Sequence, residues 1–210
     1  MKRNLYVLGD SISMGYGPYL KECIAPYFTY DRKGGADNLD VSSDANAGDS
    51  GMVLSYLQEE KKKGRTFDVL LLNCGLHDIR VDSSSKKRQV PLEQYETNLE
   101  NILSLAKSMA KDILWVSSTP VSDAIHNGRI HGFLRYDEDV VRYNKAAHNI
   151  MARESIPEAD LYTFIKHLGQ DIYRDHIHFK EEISMVQASF IAEELIQYFI
   201  DDETKGNWER

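Results

Sequence analysis

Short apolar runs alternate with stretches of helical periodicity along most of the chain. That alternation is the pattern of a parallel sheet covered by helices. Leu5-Tyr6-Val7-Leu8 is an apolar run that stops at Gly9 and reads as the first strand. A second, weaker strand is predicted near Leu39 to Ser43. Val53 to Lys63 reads as a short helix, with Asp49 or Ser50 able to cap it by accepting from first-turn N–H groups. Phe67 to Cys74 is the clearest strand. Its Val69-Leu70-Leu71-Leu72 core is apolar on both faces, as a central parallel strand covered on both sides requires.

Leu92, Tyr95, Leu99, Ile102, Leu103, Ala106 and Met109 then recur at helical spacing. Pro91 ahead of them fits a first-turn position, where its missing N–H costs nothing. Ile113 to Val116 is the next strand. Val140 to Arg153 is helical, with Val140, Asn144, Ala147 and Met151 on one stripe. Asp160-Leu161-Tyr162 predicts a last short strand. Met185, Ala188, Ala192, Leu195 and Phe199 mark a C-terminal amphipathic helix. With 210 residues and no internal repeat, one domain over residues 1–200 and a polar tail over 201–210 are expected.

The formal net charge of -8 argues against nucleic acid or an anionic membrane as partner, since both need clustered Lys and Arg. The one basic run, Lys86-Lys87-Arg88, reads as a solvated loop. Cys23 and Cys74 sit in apolar contexts and are expected to be buried free thiols. The chain enters a strand almost at once and shows no apolar stretch long enough for a signal peptide or a membrane span, so a cytoplasmic location is expected.

Open parallel sheets place ligands at the carboxyl ends of their strands. The polar residues that follow each strand are therefore the candidates for chemistry. They are Gly9-Asp10-Ser11, Asn46 to Gly51, Gly75-Leu76-His77-Asp78, Thr119-Pro120 and Asp175-His176-Ile177-His178. These parts suit acyl transfer. A serine hydroxyl needs a base to take its proton. An imidazole serves if a carboxylate holds its other N–H. Asp175 is close enough to grip His178 Nδ1 while Nε2 faces Ser11. The backbone N–H groups of Ser11 and Gly51 and the side chain of His77 are candidate oxyanion donors. Asp10 and Asp78 read as loop-holding carboxylates and Gly48 as a turn glycine. His176 reads as a rim residue, and no metal or cofactor is expected.

Four blocks resemble those of the SGNH hydrolases, also called GDSL esterases and lipases. Gly9-Asp10-Ser11-Ile12 is similar to the nucleophile block, with Ile for the usual Leu. Asn46-Ala47-Gly48-Asp49-Ser50-Gly51 looks like the second block, whose last Gly supplies an oxyanion N–H. Gly75-Leu76-His77-Asp78 falls where Gly-x-Asn-Asp is expected, and Asp175-x-x-His178 matches the last. Tyr143-Asn144 also resembles a recurrent family feature. The resemblance implies a three-layer α/β/α sandwich around a mostly five-stranded parallel, flavodoxin-like sheet. It also implies metal-free ester hydrolysis through a serine acyl-enzyme. One position departs: His77 stands where the family has Asn. A neutral imidazole also carries one N–H, so a donor role is expected to persist.

The long segment from Val121 to Asp139 follows a strand end and reads as a pocket-shaping loop or lid. Arg80, His126, Arg129, His131 and Arg135 are its candidate substrate-binding residues, and their polar, cationic character suits a hydrophilic ester such as an O-acylated sugar. His126, His131 and His148 taken singly have ordinary surface roles as their default. Other readings use the same residues: a thioesterase or lysophospholipase with the same triad, a non-catalytic binding module on the same fold, or a phosphate binder using Gly9-Asp10-Ser11 at a helix start.

Overall fold

The computed structural model describes residues 2–35, 43–169 and 171–201. In chain order the first half comprises β1 (Arg3–Leu8), α1 (Ser11–Ile24), β2 (Phe28–Arg32), α2 (Ser50–Lys62), β3 (Phe67–Leu72) and β4 (Val81–Asp82). Then come α3 (Leu92–Met109), β5 (Ala110–Val116), α4 (Asp123–Arg129), β6 (Phe133–Leu134) and α5 (Asp137–Arg153). The chain continues through β7 (Glu158–Ala159), α6 (Leu161–Lys166) and α7 (Glu181–Ile196). Five strands form one parallel sheet in the order β2-β1-β3-β5-β7. Helices cover both faces: α1 packs on α7, and α2 on α3, which also packs on α5. The result is the expected three-layer α/β/α sandwich.

The centre of the sheet follows from composition. Val69, Leu70, Leu71 and Leu72 of β3 have no exposed surface, and neither do Leu5, Val7 and Leu8 of β1. Each such side chain contributes about 1.5–3 kcal/mol by leaving water. From β1 the chain passes to β2 on one side and to β3 on the other. The carboxyl ends of β1 and β3 therefore form the switch point where such sheets bind ligands.

Several local expectations are corrected. The predicted strand near Leu39 to Ser43 lies outside the described residues except for Ser43, which opens a 3-10 turn over Ser43–Ala45. The second strand is β2, earlier in the chain. Asp160-Leu161-Tyr162 is not a strand. Asp160 accepts from Thr163 N and caps α6, and β7 precedes it. Met185 lies on the exposed side of α7, whose buried stripe runs through Ser184, Gln187, Ala188, Ile191 and Leu195. Cys74 is buried as expected, but Cys23 is exposed; both are free. Lys86 and Lys87 are exposed, whereas Arg88 pairs with the buried carboxylate of Asp139 at 2.7 Å. The segment from Val121 to Asp139 is no simple lid: it folds into α4 and β6, and β6 pairs antiparallel with β4. No described helix is long and apolar enough to cross a membrane.

Candidate active site

Ser11 owes its position to two neighbours. Asp10 caps α1, its carboxylate accepting from Ile12 N at 2.9 Å, so Ser11 is the first residue of the helix. Free N–H groups and the positive end of the helix dipole gather there. Gly9 lets the turn close, since a Cβ at that position would sit 2.9 Å from Ser13 Cβ.

The partner turn lies between α6 and α7. Tyr173 and Phe179 pair across it, and Arg174 N donates to His178 O at 2.8 Å. Inside this hairpin Asp175 Oδ1 accepts from the N–H groups of Ile177 (2.9 Å) and His178 (2.8 Å). Asp175 Oδ2 lies 2.8 Å from His178 Nδ1, and His178 Nε2 lies 2.9 Å from Ser11 Oγ. The three expected residues are thus joined in one line. Burial acts to raise the Asp175 pKa, but the two backbone donors and the imidazole overrule it and hold the carboxyl at about 2. A carboxylate at Nδ1 fixes the tautomer in which Nε2 is free to accept the Ser11 proton.

The remaining blocks are tied to this line through the backbone. Ala47 N donates to Gly9 O at 3.0 Å, and Asn73 N to Leu8 O at 3.1 Å. Asp78 is buried and accepts from Ser50 N at 3.0 and 3.1 Å, locking the second block to the third. Burial pushes its pKa up to about 7. Asp49 caps α2 through Met52 N, which places Gly51 in the first helical turn, where its N–H has no intrahelical acceptor. Gly48 has φ +75°, as a turn glycine does. The His77 ring makes no hydrogen bond among the described residues. Burial holds its pKa down at about 4, with Arg80 and Arg135 adding to the effect against the opposing pull of Asp10. At neutral pH it is an uncharged imidazole with one N–H to give. Asn144 holds the loop after β5, bridging Ser118 N (2.9 Å) and Ser118 O (2.8 Å), while Tyr143 donates to Val90 O at 2.7 Å.

A cleft of about 450 Å³ opens beside Ser11 and His178, lined by Ile12, Met14, Pro18, Tyr19, Phe179 and Gln187 among others. Gln187 is fully buried and neither amide atom has a partner among the described residues.

The five candidate substrate-binding residues divide. Arg80 and Arg135 come together over the Phe133 ring, at 4.6 and 4.9 Å from its centroid. Arg129 and His131 are exposed on the far end of α4 and the turn after it. His126 is no surface residue. It is 0% exposed, stacks near Phe133, and its Nδ1 lies 3.0 Å from His176 Nδ1. His176 in turn sits 6.0 Å, ring to ring, from His178. Two features carry no sequence signal, being long-range pairings: the β4–β6 ribbon and the His126–His176 contact. A third is Arg32, buried beneath the first two blocks and bonded to Ser13 O, Ser13 Oγ and Ala45 O.

No family model matches the sequence, and no curated protein matches it. Solved structures do match in fold. A lipase/acylhydrolase from Enterococcus faecalis aligns over 92% of this chain and 95% of its own, with TM-score 0.70 and 16% identity. A member of the lipolytic G-D-S-L family from Veillonella parvula aligns over 93% and 97%, with TM-score 0.63 and 16% identity. The acetylxylan esterase Axe2 from Geobacillus stearothermophilus aligns over 93% of each chain, with TM-score 0.66 and 15% identity. The chain therefore has the SGNH (GDSL) hydrolase fold.

Proposed function

We propose that this chain, with the SGNH hydrolase fold as premise, is a serine esterase that cleaves carboxylic esters through an acyl-enzyme. The observation that carries the reading is the unbroken line from Ser11 Oγ through His178 to Asp175, at 2.9 and 2.8 Å. His178 Nε2 takes the Ser11 proton as Oγ attacks the ester carbonyl. The N–H groups of Ser11 and Gly51 and the His77 ring N–H receive the negative charge that grows on the carbonyl oxygen. His178 then returns the proton to the leaving alcohol, and water repeats the sequence in reverse to free the acid.

The Arg80 and Arg135 guanidiniums near His77 favour an O-acyl group on a hydrophilic alcohol, such as a carbohydrate acetate. One of the fold neighbours is an acetylxylan esterase, which agrees with that choice. The chemistry itself needs no cofactor. The test is turnover of a panel of acetylated sugars and acyl thioesters. Acetylated sugars hydrolysed faster than thioesters, with activity absent in Ser11→Ala, support the reading. Undiminished activity in Ser11→Ala contradicts it.

A further inference from the structure

The β4–β6 ribbon pairs Val81 with Leu134 and Asp82 with Phe133. One position further on, antiparallel register places Arg80 and Arg135 facing each other. Like charges directly opposite on neighbouring strands repel. Among the described residues neither arginine makes an ion pair, and Arg80 makes no side-chain hydrogen bond. Its Nε is buried without a partner. Arg135 is only 3% exposed, and its single side-chain bond runs from Nε to Leu76 O at 2.6 Å, the carbonyl next to His77. Its two terminal nitrogens have no acceptor among the described residues and are not sealed from solvent. Burial and the charge of Arg80 bring Arg135 down to about 9, which leaves it cationic at neutral pH.

The chain's structural arginines differ at their terminal nitrogens and not at Nε, which among the described residues is buried without a partner in Arg32 and Arg88 as well. Arg32, 1% exposed, spends its terminal nitrogens on three protein oxygens. Arg88 pairs with Asp139. Carboxylates do lie near the facing pair, since Asp10 acts electrostatically on both guanidiniums and Asp49 on Arg80, but neither comes within ion-pair distance. Both guanidiniums pack on the Phe133 ring, at 4.6 and 4.9 Å from its centroid, which helps order them without satisfying their donors. Two guanidiniums on facing positions, close enough for Arg80 to act on Arg135, present the forked donors that carboxylate and phosphate oxygens match.

We propose that Arg80 and Arg135 form an anion subsite beside His77 that receives a carboxylate or phosphate carried by the ester substrate. The proposal rests on the esterase reading and deepens it: the substrate is an acylated acidic sugar or a comparable acidic alcohol. A neutral glycan does not meet this description. The site concentrates positive charge in a chain whose net charge is -8, so the selectivity is local and is not a result of overall attraction.

The experiment compares three probes that share an acetyl ester: methyl 3-O-acetylglucuronide, methyl 3-O-acetylglucoside and the 6-phosphate of that glucoside. The wild type is expected to show a higher kcat/KM for a charged probe than for the neutral one. Whichever charged probe leads assigns the anion as carboxylate or phosphate. Arg80→Gln is expected to lower the charged-to-neutral ratio roughly tenfold to hundredfold, the scale of a lost charge-assisted hydrogen bond, and Arg80→Lys to recover part of it. Equal rates for all three probes overturn the proposal, and so does a ratio that Arg80→Gln leaves unchanged. Calorimetric binding of the same probes to the full-length Ser11→Ala protein separates the two readings. Charged-over-neutral binding that depends on Arg80 upholds the subsite even if no ester is hydrolysed. Absent or equal binding overturns it even if esterase activity stands.

Discussion

Two parts of one sheet edge are built in opposite ways. In the hairpin that carries Asp175 and His178, each oxygen of Asp175 has a donor, and both His178 ring nitrogens are engaged. In the β4–β6 ribbon, two arginines face each other with a buried Nε and two terminal nitrogens left without partners among the described residues. The first arrangement is complete before any ligand arrives, which suits groups that must hold reacting atoms in place. The second is complete only when something anionic is added. The hairpin thus holds its polar groups by itself, while the arginine pair leaves donors for a ligand to take.

The comparison breaks most visibly at the nucleophile. Ser11→Ala is expected to reduce kcat on an acetyl ester by on the order of 10⁵- to 10⁶-fold, as when the nucleophile of a triad is removed. Steady-state rates check it, and a loss of under 100-fold means that the hydroxyl is not the attacking group. Asp175→Asn keeps the shape of the hairpin but loses the charge that fixes the His178 tautomer. A fall of about 10⁴-fold is expected, and a near-normal rate would show that the preformed line is not what matters.

His77 tests the oxyanion side. His77→Ala should lose roughly 10²- to 10³-fold in kcat, the cost of one donor, while His77→Asn keeps or raises the rate. Equal losses in the two variants would show that His77 does something an amide cannot do.

The smallest effect concerns pH and stability. His77 is held by burial at about 4 in the fold, below the ordinary 6.5 that it regains on unfolding. Between those values the unfolded chain binds a proton that the native chain refuses. The His77 contribution is thus complete above pH 6.5 and lost as pH falls toward 4. His77→Asn removes that loss, so its Tm should fall less than the parent's across the window. Parallel Tm curves would contradict the buried, neutral state of His77.

The legible parts of the molecule were those written in local pattern. β1, β3 and β5 each end in a continuous apolar run, and α3 and α5 have regular stripes. Ser11 follows closely on the end of β1, where strand counting finds it, and Asp175 and His178 are found by their own spacing shortly before α7. Where local signal is weak, the reading went astray. β2, with sequence Phe-Thr-Tyr-Asp-Arg, carries two charges in five residues, and α1 contains Gly15, Gly17 and Pro18, which mask its helical period. Leu161 and Tyr162 look strand-like, but the Asp160 cap turns them into α6. The facing of Arg80 and Arg135 was not legible at all. It depends on a two-residue pairing between segments 52 positions apart, which is decided by tertiary packing and not by periodicity.

The central claim is that Ser11 is an activated nucleophile, and covalent labelling tests it most directly. The folded protein is treated with a fluorophosphonate probe, and the modified residue is mapped by mass spectrometry. The account predicts a single adduct on Ser11, absent in Ser11→Ala and formed much more slowly in His178→Ala. Folded protein that stays unlabelled at Ser11, or labels equally fast without His178, would contradict it.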